Sequence, residues 1–65
     1  MVEVEIVVSR LRKKGKPTLE YCVYRRGVAI NRIVGSTRKR SKQMLNDYIS
    51  RNNMVITKSM NAGGK

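Results

Sequence analysis

The sequence predicts an α+β fold, a three-stranded antiparallel sheet with a possible short fourth strand, packed against one C-terminal helix. Val and Ile number thirteen against three Leu, which favours strands. Residues 1–8 alternate apolar and polar, and residues 38–51 repeat apolar side chains at helical spacing. At 65 residues the chain has room for one small core. We therefore expect a single small basic domain over residues 1–58 and a disordered tail over residues 59–65.

The first strand is expected over Met1–Val8, because its even-numbered residues are all Val or Ile while Glu3 and Glu5 point the other way. Residues 9–17 are predicted to be a loop, since they contain five bases, a glycine and Pro17. Because Leu11 is apolar, it is compatible with a first strand that continues past residue 9.

A hairpin is predicted from Thr18–Arg25 and Val28–Val34, joined by a two-residue Arg26-Gly27 turn. A competing register has a three-residue turn over residues 25–27 with a bulge, and it pairs Glu20 with Arg32. We prefer the two-residue turn because it gathers more apolar surface, although a one-residue slip would reverse every side chain. The side chains that then share one face are Leu19, Tyr21, Val23, Val28, Ile30 and Val34, with Arg32 as the exception.

The helix is expected over Arg38–Arg51, preceded by the N-cap residues Ser36 and Thr37 and ended by Asn52-Asn53. Its buried stripe would contain Ser41, Leu45, Tyr48, Ile49 and Asn52, with Met44 at the edge. Met54–Lys58 is compatible with a short fourth strand or with a frayed end of the helix.

The composition excludes most catalytic chemistry. A single Cys and no His remove disulfide frameworks, the usual zinc sites and His-based triads. No carboxylate pair has a spacing suited to acid–base catalysis. We therefore expect no enzyme activity, metal, cofactor or small-molecule substrate. No apolar run could span a bilayer, and the lone Cys fits a reducing compartment, so we expect an intracellular protein, cytoplasmic or nucleoid-associated.

The charge points to a polyanion. Fifteen bases against four acids give a formal net charge of +11. Residues 9–42 contain twelve of the bases and one acid, which accounts for the whole net charge. The bases fall into three clusters with candidate nucleic-acid-binding side chains. These are Arg10, Arg12, Lys13, Lys14 and Lys16; then Tyr24, Arg25, Arg26 and, further along, Arg32; then Ser36, Thr37, Arg38, Lys39, Arg40 and Lys42.

Each cluster has its own expected role. The first would hold phosphates, and the second would contact base edges or a groove. The third lies at a helix N-terminus, where cations are unfavourable unless an anion docks there. For this reason we expect the third cluster to hold a second phosphate backbone, and all three clusters to form one surface.

The sequence therefore predicts a non-enzymatic nucleic-acid-binding protein, architectural or regulatory in transcription, with double-stranded DNA favoured over RNA. The layout of three strands and a helix is loosely similar to the β-sheet DNA-binding domains at the N-termini of some phage-type integrases. The alternative is a small virus- or plasmid-encoded regulator that binds an acidic protein surface, such as a polymerase or nuclease, through a sheet edge or the second sheet face (Val7, Cys22, Tyr24, Ala29, Ile33). A homodimer sharing the Met1–Val8 or Met54–Lys58 edge is also compatible with so small a core.

Overall fold

A computed structural model describes residues 1–62 and confirms the α+β class. The elements in chain order are β1 (Val2–Lys13), β2 (Lys16–Arg25), β3 (Val28–Val34), α1 (Arg38–Arg51) and β4 (Met54–Asn61). The sheet has four strands in the order β3-β2-β1-β4 and is mixed, because β4 runs parallel to β1 while the other pairs are antiparallel. The expected three-stranded antiparallel sheet is thus extended by a full fourth strand.

The helix has the predicted bounds and packs on one face of the sheet. Ser41 and Leu45 are buried and Tyr48 and Ile49 are half-buried, so the predicted stripe is confirmed at these four positions. Asn52 was also expected in the stripe but is exposed, because it is the C-cap at which the helix ends. At its end Asn53 takes the left-handed conformation at φ 53°, as expected for an asparagine stop. The core consists of Val4, Ile6, Leu19, Tyr21, Val23, Ile33 and Leu45.

A bulge in β3 corrects the predicted hairpin register. The Arg26-Gly27 turn is present, with φ of 53° and 78°, but the pairing shifts between Val23 and Tyr24. After the bulge, the side chains of β3 face the sides of the sheet opposite to those predicted. Ile33 therefore faces the core, and Val34 faces away from it. Ile30, which was expected in the core face, is 42% exposed as a result. Val28 was also expected there and is 63% exposed, but it precedes the bulge, pairs with Arg25 as predicted and lies at the end of the sheet beside the turn. One extra residue is sufficient for this reversal because side chains in a strand alternate with a period of two.

The predicted loop over residues 9–17 is wrong. β1 and β2 are paired out to Lys13 and Lys16, with a two-residue Lys14-Gly15 turn at φ 53° and 78°. Pro17 is tolerated inside β2 because the β2–β3 ladder ends at Glu20, which leaves one edge of β2 free beside the proline.

The β4 strand is longer than expected and covers an edge. It pairs with β1 from Val2↔Met54 to Val8↔Asn61, so residues 1–8 are internal and cannot form the dimer edge that we considered. Ser59–Asn61, the first three residues of the predicted tail, belong to this strand. The rest of the predicted tail from residue 63 onward lies outside the described residues. Within residues 1–62, no helix has the length and apolar character needed to cross a membrane.

The bulge makes a testable distinction between two isoleucines of one strand. Ile33→Ala should destabilise the fold by about 2–4 kcal/mol, since it empties a core position, whereas Ile30→Ala should cost less than about 1 kcal/mol. Urea denaturation of both variants followed by circular dichroism measures the difference. Equal losses, or a larger loss at Ile30, would show that β3 is paired in the other register.

Candidate nucleic-acid interface

The strand directions bring two of the three basic clusters to one end of the sheet. β1 and β3 are both antiparallel to β2, so their C-terminal ends lie at the same end. The first cluster lies where β1 ends, and the third lies in α1, which begins shortly after β3 ends. We call this combined set of cations the basic end. Its nine members are all exposed: Arg10, Arg12, Lys13, Lys14, Lys16, Arg38, Lys39, Arg40 and Lys42.

Half of the basic end is a projecting β-ribbon. The ladder to β4 stops at Val8 and the ladder to β3 stops at Glu20, but β1 and β2 continue to pair with each other. We call residues 10–19 the arm. Four residues per strand extend it by roughly 13 Å. Arg12 Nη1 donates to the Gly15 carbonyl at 3.0 Å and closes the tip, so the first cluster is an ordered ribbon instead of a loose loop.

The other half of the basic end is the first turn of α1. Thr37 is the N-cap, and its hydroxyl accepts from Arg40 N at 3.2 Å. This turn contains no acid. The backbone N–H groups of Arg38 and Lys39 have no carbonyl one turn earlier, so they point outward among the cationic side chains. The N-terminus of α1 thus combines partial positive charge from the helix with full positive charge from its side chains.

A buried hydrogen-bond network fixes the helix N-terminus to the root of the arm; we call it the Thr18–Gly35–Ser41 network. The Ser41 hydroxyl accepts from Gly35 N at 2.8 Å and lies 3.0 Å from the Thr18 hydroxyl. Thr18 in turn donates to the Gly35 carbonyl at 2.8 Å. Thr18 and Ser41 are 1% and 0% exposed. Because Thr18 belongs to the arm and Ser41 to α1, the two halves of the basic end are held in one relative position.

Gly35 is required in this network by close approach. A Cβ built on Gly35 would lie 2.6 Å from Ser41 N and 2.9 Å from the carbonyl carbon of Arg40. Both neighbours are backbone atoms of the helix, so they could yield only if α1 moved away from the sheet. Glycine therefore allows the first turn of α1 to lie directly against the end of β3.

A groove of about 230 Å³ opens between the two halves. It is lined by Val8, Arg10, Leu19 and Tyr21 of the sheet, Lys42 of the helix, and Asn61 and Ala62. Arg10 and Lys42 therefore present positive charge from opposite walls. Burial raises the pKa of the Tyr21 phenol above its ordinary value of 10.

The second cluster lies elsewhere, so the expectation of one surface built from all three clusters is wrong. Arg25 and Arg26 are at the β2–β3 turn, at the opposite end of the sheet. There they line a groove of about 440 Å³ together with Tyr24, Glu3 and Glu5. Arg32 lies between the two ends and forms a salt bridge with Glu20.

Sequence reasoning missed the residues that hold the basic end together. Ser41 stood out as a polar member of the buried helical stripe, and that was the available signal. Thr18 carried no signal, because its partners Gly35 and Ser41 are 17 and 23 residues away along the chain. Gly35 lies six residues before Ser41, but no local pattern marked this contact. The Glu20–Arg32 pair was visible only in the register that we did not prefer.

The network should contribute measurably to stability. Ser41→Ala would leave the Gly35 N–H buried without its acceptor and should lower the free energy of unfolding by about 1–3 kcal/mol. Ser50→Ala, at an exposed position of the same helix, is the matched control and should change it by less than about 0.5 kcal/mol. Urea unfolding of the two variants makes the comparison, and equal effects would refute the network's role.

Within residues 1–62 no group of three or more metal-ligating side chains comes together. Comparisons with family models, with curated proteins and with solved structures found no significant match. The geometry and charge of the basic end therefore carry the functional argument.

Proposed function

We propose that this protein binds double-stranded DNA through the basic end, without enzymatic activity. One observation carries the proposal: nine exposed cations from two distant segments lie at one end of the sheet, and none of the four acids belongs to those segments. Mutual repulsion of so many cations opposes folding, and a bound polyanion relieves it. Phosphate is the ligand to which such a surface is best matched.

The arm has the dimensions of a groove reader. A two-stranded β-ribbon fits the major groove of B-DNA, which is about 12 Å wide. Lys13, Lys14 and Lys16 surround the tip of the arm, with Arg12 held by its bond to Gly15. In this arrangement the tip enters the groove and its cations contact the flanking phosphates.

The helix N-terminus supplies the second set of backbone contacts. Outward N–H groups at the start of α1 are good phosphate ligands, and Arg38 and Lys39 add charge-assisted hydrogen bonds. Since the Thr18–Gly35–Ser41 network fixes this turn beside the arm, the DNA meets a surface formed before binding. Contacts of this kind give affinity and orientation rather than base sequence.

The aromatic side chains argue against single strands. Binding of unpaired bases needs exposed stacking platforms. Tyr21 is 5% exposed and faces the core, and Tyr24 lies on the other face at the far end of the sheet. Duplex RNA fits less well than duplex DNA, because its major groove is too narrow for a ribbon.

The structure also shifts the proposed contacts away from the sheet face. The face opposite α1 combines Lys13, Lys16, Arg32 and Lys58 with Glu3, Glu5 and Glu20, so its charges nearly cancel. Apart from Lys13 and Lys16 at the tip of the arm, this face does not suit a phosphate backbone, and neither does the Arg25-Arg26 turn beside Glu3 and Glu5. We therefore leave Tyr24, Arg25, Arg26 and Arg32 out of the proposed interface.

A pair of charge-matched variants tests the location. Arg38→Gln/Lys39→Gln should weaken binding to a mixed-sequence duplex by roughly tenfold and reduce the salt slope by about two, because two phosphate contacts are lost. Arg25→Gln/Arg26→Gln removes the same charge at the other end and should leave both quantities nearly unchanged. Fluorescence anisotropy at 50 and 200 mM salt measures them. Equal losses in the two variants would contradict the assignment to the basic end.

The nucleic-acid class is tested with the unaltered protein. Duplex DNA should bind more tightly than duplex RNA or single-stranded DNA of the same sequence at each salt concentration. Binding that does not respond to salt would contradict the proposal and favour the alternative target, an acidic protein surface.

A further inference from the structure

The groove between the arm and α1 contains a polar group that has no partner. Tyr21 is 5% exposed, and its hydroxyl forms no hydrogen bond within residues 1–62. Every fully buried side-chain oxygen and nitrogen of these residues has a partner, so the Tyr21 hydroxyl must reach the surface. The surface cavity that Tyr21 lines is this groove of about 230 Å³, which we call the root groove because it lies at the root of the arm. The ring of Tyr21 is therefore in the core, and its hydroxyl opens into the root groove.

Two cations face the root groove from opposite walls. Arg10 belongs to the arm and Lys42 to α1, and neither forms a salt bridge within residues 1–62. No Asp or Glu of these residues lines the groove. Because the Thr18–Gly35–Ser41 network fixes α1 beside the arm, the two walls have their separation before a ligand arrives. A guanidinium, an ammonium and a phenol are all hydrogen-bond donors, so the groove suits an anion with several acceptor oxygens.

The charge of the walls matches a phosphate monoester better than a phosphodiester. A monoester has a charge of about −1.5 to −2 at pH 7 and three terminal oxygens, whereas each phosphodiester of a DNA strand has a single negative charge. Arg10 and Lys42 together supply two positive charges. Val8 and Leu19 make part of the lining apolar, which strengthens a hydrogen bond from the Tyr21 hydroxyl to an anion.

The shape of the root groove also favours the end of a strand. Structural elements border it on three sides: the strands at the root of the arm, α1, and the end of β4 at Asn61 and Ala62. A phosphate inside a strand needs two directions in which the strand can leave, whereas a terminal phosphate needs one. At about 230 Å³ the groove is smaller than the roughly 300–1,000 Å³ of usual ligand pockets. It therefore suits one end of a larger molecule better than a whole nucleotide.

We propose that the root groove binds a phosphate monoester, the group at the phosphorylated end of a DNA strand, through Arg10, Lys42 and the Tyr21 hydroxyl. This inference deepens the proposed function and rests on it, because the rest of the duplex would dock on the same basic end. It adds a preference for one kind of DNA end to a surface whose other contacts are with the phosphate backbone.

A change of one hydroxyl tests the site without a change of charge. Two duplexes of one sequence, with 5′-phosphate or 5′-hydroxyl ends and an internal fluorophore, are compared by fluorescence anisotropy. The unaltered protein should bind the phosphorylated duplex at least about tenfold more tightly. Tyr21→Phe should reduce this preference at least about threefold, because a hydrogen bond to a charged group is lost. Tyr24→Phe removes the same hydroxyl at the far end of the sheet and should keep the preference in full.

A second pair of variants tests the two cations. Arg10→Gln/Lys42→Gln should abolish the preference, because the positive charge of both groove walls is lost. Arg38→Gln/Lys39→Gln removes the same charge from the basic end outside the groove. It should weaken binding to both duplexes by a similar factor and keep their ratio. Circular dichroism of each variant confirms that it is folded.

Competition identifies the source of the phosphate. Millimolar deoxyadenosine 5′-monophosphate is added at constant ionic strength. If it displaces the phosphorylated duplex and leaves the hydroxyl-ended duplex bound, the root groove accepts any phosphate monoester. If it displaces neither duplex, the preference belongs to strand ends. Equal displacement of both duplexes would contradict a separate site for the monoester.

Equal affinity for the two duplexes, or a preference that is unchanged in Tyr21→Phe, would overturn this inference and leave DNA binding by the basic end intact. Binding of neither duplex would overturn the proposed function and this inference with it. The two failures are therefore distinguishable in one set of titrations.

Discussion

The Thr18–Gly35–Ser41 network is the constraint on which the candidate site depends. Two buried hydroxyls and one glycine backbone share their hydrogen bonds among themselves, so none of these polar groups is left without a partner. Such a network is stabilising only when it is complete. It joins the root of the arm to the first turn of α1 and so sets the distance between two groups of cations that repel each other. Hydrophobic packing by Leu45 and Tyr48 attaches the helix to the sheet, but the network fixes where the helix begins.

The charge of the basic end works against folding and in favour of binding. A helix is stabilised by acids in its first turn, yet α1 begins with Arg38, Lys39 and Arg40. The arm adds five more cations on a ribbon that projects beyond the rest of the sheet. Acids that could neutralise them are used elsewhere: Glu20 binds Arg32 and Asp47 binds Arg51. The fold therefore gathers nine exposed cations at one end of the sheet, in two segments that contain no acid.

Local patterns were sufficient to predict much of the fold. The helix bounds, the Arg26-Gly27 turn and the half-buried strand from residue 2 all follow from spacing within a few residues. The arm was not predicted from the sequence, because a run of bases next to Pro17 is typical of a loop. The pairing of β1 with β2 over these residues is what makes them a ribbon. The bulge in β3 was not predicted either. Its single extra residue places Ile33 in the core instead of Ile30. Of the candidate site, the two clusters and their cationic residues were predicted. Their separation from Arg25 and Arg26 was missed, although it follows from the three sequential antiparallel strands that we expected: the β1–β2 turn and the end of β3 lie at one end of such a sheet, and the Arg26-Gly27 turn lies at the other.

The central claim is that the arm and the first turn of α1 act as one surface for duplex DNA. The most direct measurement is an NMR titration of ¹⁵N-labelled protein with a short mixed-sequence duplex, following every backbone amide. Our account expects the largest shift changes together in residues 10–16 and 36–42, with little change at residues 25–27. Changes centred on residues 25–27, or in one of the two segments without the other, would contradict it.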